Sequence, residues 1–530
     1  MSEGKFDFDA AIIGYGPAGV SLALLLARHG LTVAVVEQMM DLYPKPRAIG
    51  ADHEFMRTMQ FCGVADEMEG HISHYNGTIY RGVDGEPIQI FEAPKPPYPL
   101  AWCPVFGFVQ PDIENMMREK AKTLPGITTY LGWTLTGVND VTGQIDIAPA
   151  DGDGTAPKTL TAKYILACDG GASTVRKLLG IPLDDLEFDQ EWLVIDALQK
   201  KPVDLPDKNI QYCDPHRPAT FIKGVRDLRR WELKLRPEET AAQFDDPENV
   251  AKVLSDYVDT SAFDIWRSAV YRFHALVARR WRSNRVFLVG DAAHQTPPFL
   301  GQGLVAGSRD VFNLAWKIIL VEKGGVAPSV LDSYEVERIP HAISVIEAAK
   351  KLGLIVGETD PAKARARDDE LRQMMKEGKD VRQRLSLIPK LLDGIMYKDE
   401  KGNPAKGAGS LFIQPMVKQG DGSRRLDDLV GMDFLVVTKS DALQKSINAS
   451  NMDFLRRLGA RQIVIGAGGR DPEAGEGITT FSEDGGVFKF WMEAFGCEAV
   501  VVRPDRYVYG IANSEDEINL VLTALKADVA

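Results

Sequence analysis

Apolar runs that end in a glycine turn and lead into a helix-like segment recur along the amino-terminal part of the chain. The first run, Ala10–Ile13, leads through a glycine-rich turn into a small-residue segment over residues 20–27. Further strands are predicted at Thr32–Val36, Tyr164–Ala167 and Arg285–Val289. Strands that alternate with helices in this way predict an α/β fold with a parallel sheet.

The first turn has the GxGxxG spacing of a dinucleotide-binding turn. In Gly14-Tyr15-Gly16-Pro17-Ala18-Gly19, the first glycine permits the tight turn, the second lets the backbone approach a pyrophosphate, and the third allows close packing of helix on strand. Glu37 follows roughly twenty residues after the first glycine, which is the offset of a carboxylate that binds ribose hydroxyls. NAD, NADP and FAD all fit such a unit.

Two later turns favour FAD. One turn opens the segment Cys168–Arg176, and the other is Gly290-Asp291, which leads through Pro298 and Gly301–Gly303 into a helix predicted to start near Leu304. The amino terminus of that helix carries unpaired N–H groups and a partial positive charge. This suits an anion such as the N1/C2=O edge of a reduced flavin, which NAD does not have.

Changes in pattern divide the remainder of the chain. An FAD-binding domain is predicted over 1–190 and 275–355, with substrate-domain segments interspersed, and an antiparallel substrate-domain sheet over 190–275. A charged stretch, Asp360–Asp380, predicts a solvated helix within a helical connector over 356–408. Apolar strands at Phe434–Val437, Gln462–Ile465 and Ala499–Val502, with a final helix at about 515–527, predict a further domain over 409–530.

Composition narrows the class of protein. A formal net charge of −13 argues against nucleic acid or an anionic membrane surface as a partner. The five cysteines show no CxxC spacing and the eight histidines no HxxxH spacing, so no metal site is predicted and a reducing compartment is favoured. No apolar run resembles a signal segment or approaches the roughly 18 residues of a membrane span. We therefore expect a cytoplasmic enzyme that acts on small molecules.

The three turns together, in this order, resemble those of the class A (single-component) FAD-dependent aromatic hydroxylases. The resemblance spans nearly the whole chain, and its further stretches are Pro46–Asp52, Phe108–Pro111, Cys213–Pro218, Phe312–Lys317 and Val502–Arg506. It is strongest to members that act on a hydroxyphenylpropionate. The resemblance implies a Rossmann-like FAD domain, an antiparallel-sheet substrate domain and a thioredoxin-like carboxyl-terminal domain, which here lacks CxxC.

The resemblance also implies roles for individual residues. Glu37 would bind the adenosine ribose, Arg47 and Gln110 would lie along the pyrophosphate and ribityl chain, and Asp291 would hold the ribityl hydroxyls. Asp169 and Arg176 would serve a segment that contacts both FAD and NAD(P)H. The expected FAD-binding positions are Gly14, Gly16, Ala18, Gly19, Glu37, Arg47, Gln110, Asp169, Arg176, Gly290, Asp291, Pro298, Gly301, Gly303, Leu304 and Val305.

One position departs from the family pattern. The family usually has Asn two residues after the second glycine of Gly-Gln-Gly, and this chain has Val305 there. Leu304 and Val305 can still offer backbone N–H groups to the flavin, so cofactor binding is expected to survive. A contact from a side-chain amide is lost.

The activity that the resemblance implies is hydroxylation of a phenolic ring in aromatic catabolism. NADH or NADPH would reduce a noncovalently bound FAD, O2 would add to form a C4a-hydroperoxyflavin, and the ring of a small aromatic substrate, such as a hydroxyphenylpropionate-like acid, would attack its distal oxygen. A homodimer is expected. The sequence does not decide between NADH and NADPH, nor the position hydroxylated.

The residue that assists deprotonation of the phenol stays open at the level of sequence. His53 is close in sequence to Arg47, while Tyr212, Arg217 and Tyr271 fall in the substrate-domain region and could bind a phenolate or carboxylate. A hydroxylated N-heteroaromatic, such as a quinolone or pyridine, is an alternative substrate. A flavin-binding protein without catalytic activity is an alternative function.

Overall fold

A computed structural model describes residues 6–152, 154–419, 422–466 and 477–530. Residues 1–5 and 153 of the predicted FAD domain and residues 420–421 and 467–476 of the predicted carboxyl-terminal domain lie outside the described residues.

Strands of the described chain form three large sheets and one small one. In chain order the strands are β1 Phe8–Ile13, β2 Val33–Glu37, β3 Gly50–Asp52, β4 Ser73–His74, β5 Gly77–Arg81, β6 Pro87–Glu92, β7 Val105–Gly107, β8 Ile127–Leu131, β9 Trp133–Asn139, β10 Gln144–Pro149, β11 Lys158–Ala167, β12 Leu183–Gln199, β13 Asn209–Tyr212, β14 Ala219–Lys223, β15 Leu228–Lys234, β16 Phe263–Ala278, β17 Arg282–Ser283, β18 Val286–Leu288, β19 His294–Gln295, β20 Met416–Gln419, β21 Gly422–Arg425, β22 Leu435–Thr438, β23 Arg461–Gly466, β24 Ile478–Asp484, β25 Ala499–Val502 and β26 Val508–Ala512.

Helices cover the faces of these sheets. In chain order the α-helices are α1 Pro17–Arg28, α2 His53–Cys62, α3 Ala65–Glu69, α4 Gln110–Lys122, α5 Thr174–Leu178, α6 Pro247–Leu254, α7 Gly303–Glu322, α8 Ser333–Gly357, α9 Pro361–Lys376, α10 Leu426–Val430, α11 Asp441–Lys445, α12 Ala449–Leu458, α13 Val487–Phe495 and α14 Glu515–Asp528. Among the described residues, no helix combines the length and the apolar character needed to cross a membrane.

The first large sheet has the order β17-β18-β11-β1-β2-β8, in which β18, β11, β1, β2 and β8 run parallel to one another. The strands β17 and β10 are antiparallel to β18 and β11, respectively, and β9 is antiparallel to β10. Residues Ala10–Ile13 of β1 are fully buried, as expected for a parallel strand that is covered on both faces. The predicted strands β1, β2, β11 and β18 are confirmed. Because parallel strands end at the same edge of a sheet, the turns after these strands meet there.

The second sheet has the order β19-β16-β12-β15-β14-β13-β5-β6, and its pairs are antiparallel except β13 with β5. A sheet forms in the segment predicted for the substrate domain, but its strand β12 crosses residue 190, and β5 and β6 join from the preceding segment. The sheet is therefore mixed rather than wholly antiparallel. One of its faces carries an apolar cluster that includes Phe221, Trp231 and Leu233.

The third sheet belongs to the carboxyl-terminal region and has the order β21-β20-β24-β23-β22-β25-β26. The predicted strands here and the final helix are confirmed by β22, β23, β25 and α14. In the connector, the predicted charged helix forms as α9, whose amino terminus is capped by Asp360. Beyond α9, residues 377–408 are largely irregular, with one short 3-10 turn.

A buried cluster of charges joins the carboxyl-terminal region to α7 and α8. Glu337 of α8 accepts hydrogen bonds from Arg503 (2.7 and 2.9 Å), Lys317 (3.0 Å) and Asn313 (2.6 Å). Asp505 pairs with the same arginine at 2.7 Å. The side chains of Glu337, Lys317, Arg503 and Asp505 are at most 1% exposed. Two of the stretches shared with the family, Phe312–Lys317 and Val502–Arg506, thus meet in space.

Candidate active site

Three glycines shape the turn between β1 and α1. Gly14 has φ of 96°, and a Cβ atom there would lie 2.4 Å from the carbonyl oxygen of Cys168. A Cβ atom on Gly19 would lie 2.0 Å from the carbonyl oxygen of Gly14. A Cβ atom on Gly16 would meet no atom within 4 Å. Packing therefore requires glycine at the first and third positions, whereas the second faces open space at the amino terminus of α1.

Two carboxylates flank this space. Glu37, at the end of β2, accepts hydrogen bonds from the backbone N–H groups of Tyr15 (2.8 Å) and Met39 (2.9 Å). Asp291, in the turn after β18, is exposed and has no hydrogen bond or ion pair with another described residue. Both carboxylates retain capacity to accept hydrogen bonds from a ligand.

Gly290 and Ala18 bring the turn after β18 close to α1. Gly290 has φ of 61°, and a Cβ atom there would lie 3.6 Å from the Cβ of Ala18 and 3.7 Å from the Cα of Gly307. The backbone N–H of Gly290 donates to Asp310 of α7 (3.1 Å). The small residues Gly290 and Ala18 thus allow this turn to pack closely between α1 and α7.

The side chains of Asp169 and Arg176 are hydrogen-bonded to other groups of the protein. Asp169 accepts hydrogen bonds from the Ser173 hydroxyl (2.6 Å) and from the backbone N–H of Val175 (3.0 Å). The guanidinium of the buried Arg176 donates to the carbonyls of Ala292 and Gly171, each at 2.8 Å. Together they fix the turn after β11 and tie it to the turn after β18.

Gln110 binds the loop that carries Arg47, and Arg47 lies at the rim of a large cavity. The side-chain oxygen of Gln110 accepts hydrogen bonds from the backbone N–H groups of Ala48 (2.6 Å) and Arg47 (3.2 Å). The exposed Arg47 side chain places its guanidinium carbon 5.2 Å from the centre of the Tyr43 ring. Gln110 therefore shapes the loop, and the Arg47 guanidinium is left at the rim.

The cavity lies between the loop 47–52, the loop 296–304 and the polar face of the second sheet. Its lining also includes a set of mostly polar side chains: Tyr75, Thr78, Asn209, Gln211, Thr220, Ile222, Arg230 and Glu232. Pro298, Gly301, Gly303 and Leu304 line the opposite side. The cavity thus lies between the second sheet and the amino terminus of α7.

Helix α7 begins at this cavity, as predicted from the sequence. Its first residue is Gly303, and Ala306 donates the bond that closes its first turn, to Gln302 (2.7 Å). The N–H groups of Gly303, Leu304 and Val305 consequently have no acceptor within the helix. The Val305 side chain is fully buried, so this residue can present only its N–H group to a ligand.

Strand alternation produces the polar wall. Gln211, Thr220 and Glu232 are paired across β13, β14 and β15, and the Thr220 hydroxyl donates to the Gln211 side-chain oxygen (2.6 Å). Their neighbours along the strands, such as Phe221 and Trp231, point to the apolar cluster on the other face. A row of polar groups therefore faces the cavity.

Arg230 is the buried arginine of this wall, and four of the five N–H groups of its guanidinium donate to other residues. It donates to both oxygens of Asp196 (2.7 and 3.0 Å) and to the carbonyls of Arg47 (2.9 Å) and Pro46 (3.3 Å). Arg267 lies on the other side of Asp196, at 3.6 Å. Arg230 thus anchors the loop at the cavity entrance, and its one remaining N–H group, on Nη1, has Glu232 as its nearest carboxylate, at 3.8 Å.

Glu232 is the buried carboxylate of the wall. It is 6% exposed and accepts no hydrogen bond from a described residue, and its nearest cationic atom is Nη1 of Arg230 at 3.8 Å. Burial raises the pKa of the Glu232 carboxyl, and the Arg230 guanidinium opposes this shift only in part. A buried group of this kind can exchange a proton with a ligand.

The structure places the four candidates for phenol deprotonation outside the lining of this cavity. Tyr212 lies one residue after Gln211 on β13, so its side chain points to the opposite face and packs on Tyr257 (ring centres 5.5 Å apart). The Arg217 guanidinium is paired with Glu239 (Nη1 to Oε2 3.1 Å).

The other two candidates, Tyr271 and His53, also lie against other residues of the protein. The guanidinium carbon of Arg267 lies 5.0 Å from the centre of the Tyr271 ring. His53 is the first residue of α2, and burial lowers the pKa of its imidazole. The sequence offered one signal for the true lining: polar residues two apart in otherwise apolar strands, as in Asn209-Ile210-Gln211 and Arg230-Trp231-Glu232.

Two known families match this chain. Residues 7–349 match the family described as FAD binding domain, and residues 409–528 match the one described as HcaD C-terminal domain. Among curated relatives, a probable NADH-specific resorcinol 4-hydroxylase of Rhodococcus jostii (strain RHA1) is 31% identical, over 99% of this chain and 96% of the relative. A 3-(3-hydroxy-phenyl)propionate/3-hydroxycinnamic acid hydroxylase of Comamonas testosteroni is 30% identical, over 96% of this chain and 95% of the relative.

Solved structures share the fold over the same length. The flavin-dependent monooxygenase PieE, in complex with FAD and substrate, aligns with a TM-score of 0.77 at 20% identity and covers 98% of this chain and 99% of its own. Aklavinone-11 hydroxylase, in a ternary complex with FAD and aklavinone, aligns with a TM-score of 0.75 at 22% identity and covers 99% of this chain and 100% of its own.

Proposed function

The chain belongs to the FAD-binding-domain family of FAD-dependent aromatic hydroxylases, and on that premise we propose that it hydroxylates a phenolic ring with NADH and O2. A single observation supports this conclusion: one cavity extends from the amino terminus of α7 to the polar wall of the second sheet. NADH would supply two electrons, one oxygen atom of O2 would enter a C–H bond of the ring, and the other would leave as water. NADH is proposed rather than NADPH because the R. jostii relative is a probable NADH-specific hydroxylase.

The turns at the edge of the first sheet fit FAD. The open space at Gly16 would take the pyrophosphate, since backbone N–H groups and the helix dipole of α1 favour an anion there. Glu37 would accept hydrogen bonds from the adenosine ribose, and the unpaired Asp291 from the ribityl hydroxyls. Arg47 would pair with the pyrophosphate from the rim. FAD, when bound, supplies the redox chemistry that no side chain of the protein has.

The flavin ring would lie in the cavity against Pro298 and the loop Gly301–Gly303. The free N–H groups of Leu304 and Val305 would then stabilise negative charge on the ring edge nearest α7. The Val305 side chain has no part in this contact because it is fully buried. The chain itself would bind and orient the ring system, and would exclude water from the reacting atoms.

The carboxyl-terminal region is proposed to be a thioredoxin-like domain without thiol chemistry. The order β26-β25-β22-β23 within its seven-stranded sheet, with β22 and β23 parallel and the other two pairs antiparallel, supports this proposal. Cys497 is its one cysteine in the sequence. That thiol is buried, and burial raises its pKa to about 11, so it is a poor nucleophile. A structural role follows.

The function is tested by NADH oxidation and O2 uptake of the FAD-loaded protein with simple phenols, dihydroxybenzenes, phenolic acids and hydroxylated N-heteroaromatics. One ring class is expected to raise the rate strongly with little release of peroxide. Stimulation with stoichiometric peroxide would mean that the compound binds without being hydroxylated. No stimulation by any compound would favour the flavin-binding protein without catalytic activity.

A further inference from the structure

We propose that Glu232 accepts the proton of the substrate's activating hydroxyl, and that the cavity therefore takes an uncharged phenol, such as a dihydroxybenzene, in preference to a phenol with a carboxylate. Glu232 can have this role only if the chain is the phenol hydroxylase proposed above. The proposal names a substrate class and a catalytic residue that was not among the candidates drawn from the sequence.

Glu232 has the position that a proton acceptor needs. It lies in the central part of the polar wall on β15, and its side chain faces the cavity because its neighbours Trp231 and Leu233 pack on the other face. It is more than nine-tenths buried and receives no hydrogen bond from another described residue. Its carboxylate oxygens are therefore available to a ligand on the side that faces the loop 298–304.

The proton transfer is simple to write. The O–H bond of the phenol breaks, its proton bonds to a carboxylate oxygen of Glu232, and the electron pair stays on the phenolic oxygen. The phenolate formed in this way pushes electron density into the ring carbon that is to be oxidised. Burial raises the pKa of Glu232 toward that of a phenol, which strengthens it as a base.

The charged groups around Glu232 set its protonation. Arg230, two residues before it on β15, lies at 3.8 Å and favours the carboxylate form. Asp196 on β12 opposes ionisation. The residues that pair with Glu232 from β14 and β12 are Thr220 and Val194, which are uncharged. Glu232 accepts a proton only when it is ionised, so catalysis should fall as the pH drops below its pKa.

Among the described residues that line the cavity, no cation is left unpaired for a substrate carboxylate. Four of the five N–H groups of the Arg230 guanidinium donate to Asp196 or to a backbone carbonyl, and the fifth, on Nη1, lies nearest to Glu232 itself. Arg47 lies at the rim, where the proposed pyrophosphate would claim it. A carboxylate in the cavity would thus meet the charge of Glu232 without compensation, and burial of an unpaired charge is strongly unfavourable.

The side-chain amide of Gln211 can donate a hydrogen bond to a second hydroxyl group of the substrate. Its oxygen accepts from Thr220, which leaves the NH2 group without a partner among the described residues. Gln211 and Glu232 lie in the same row, separated by Thr220 on the middle strand. One hydroxyl of a dihydroxybenzene could therefore donate to Glu232 while the other accepts from Gln211.

Glu232→Gln tests the proposal, because it keeps the shape of the side chain and removes the base. With FAD content matched to the natural protein, kcat for resorcinol is expected to fall about 100-fold, which is within the range of general-base catalysis. The rate should recover as the pH approaches the pKa of the phenol itself. Glu191→Gln is the control, since Glu191 is an exposed carboxylate on β12 outside the cavity.

Ligand binding gives a readout independent of turnover. Calorimetric titration compares 3-propylphenol with 3-(3-hydroxyphenyl)propionate, two phenols of similar shape that differ in charge. The natural protein is expected to bind the neutral compound about tenfold more tightly or better, and Glu232→Gln should narrow that difference. Glu232→Asp, which keeps the carboxylate but shortens it, should retain the preference for the neutral compound.

The outcomes separate the two proposals. If the natural protein hydroxylates a phenol and Glu232→Gln keeps its rate and pH profile, the role of Glu232 is overturned while the hydroxylase function stands. If the natural protein binds the carboxylate compound more tightly, the substrate class is overturned. If no phenol of either charge binds or is hydroxylated, both proposals fail together.

Discussion

Gly16→Ala is expected to leave the folding stability of the FAD-free protein unchanged and to weaken FAD binding about 100-fold or more, through a clash with a charged group and the loss of hydrogen bonds to it. Gly16 has φ of −72° and ψ of −173°, which alanine adopts without strain. The added methyl group would meet no protein atom within 4 Å. It would instead occupy the space assigned to the pyrophosphate.

Gly19→Ala is the matched comparison for this prediction. Its methyl group would lie 2.0 Å from the carbonyl oxygen of Gly14, so helix and strand must separate and the FAD-free protein should lose stability. Fluorescence titration of the FAD-free proteins with FAD, together with their thermal unfolding, distinguishes the two effects. Unchanged FAD affinity in Gly16→Ala would show that the pyrophosphate does not lie above this turn.

Glu337→Ala is expected to lower the free energy of unfolding by about 3–5 kcal/mol, the cost of leaving buried charges without their partner. Glu337 is fully buried and binds both Arg503 and Lys317. Among the described residues, Asp505 alone would then remain to balance these two cations. The damage should extend to the contact between the carboxyl-terminal region and the FAD domain, which this cluster joins.

The same cluster predicts a dependence of stability on pH. The cations beside Glu337 outweigh the opposing effect of its burial and lower its pKa from 4.5 to about 2. A carboxyl whose pKa is lower in the folded protein stabilises it above the unfolded value and loses that contribution as the pH falls from about 5 toward 2. In Glu337→Ala this part of the acid sensitivity should be absent.

Denaturant unfolding of the natural protein and the variant, at pH 7 and at several lower values, measures both effects. Glu347→Ala provides the control on the same helix, because the Glu347 side chain is 41% exposed and its carboxylate lies 3.8 Å from the ammonium nitrogen of Lys350. Its effect should be well under 1 kcal/mol. A Glu337→Ala variant as stable as Glu347→Ala would contradict the account of the cluster.

Features that rest on local sequence were predictable. The strands β1, β2, β11 and β18 and the start of α7 follow from apolar runs that end at glycine turns, and each such signal lies within about ten residues. The meeting of these turns at one edge also follows, because the strands are parallel. The expected FAD-binding positions, the homodimer and the cytoplasmic location stay predictions.

Features that rest on strand register were not predictable from one sequence. The wall of the cavity combines Gln211, Thr220 and Glu232 from three strands, and their alignment depends on pairing between strands rather than on any motif. Tyr212 was a candidate because it is polar and aromatic, but the period of two in a strand turns it away from the cavity. The charge cluster around Glu337 likewise joins segments far apart in the chain.

Reaction of the FAD-loaded protein with NADH, a neutral phenol and 18O2 tests the central claim most directly. Mass spectrometry of the product and a parallel count of NADH consumed are needed. The account predicts a product that carries one 18O atom per added hydroxyl, formed in proportion to the NADH oxidised. A product whose new oxygen comes from water, or oxidation of NADH that yields only peroxide with every phenol tried, would contradict it.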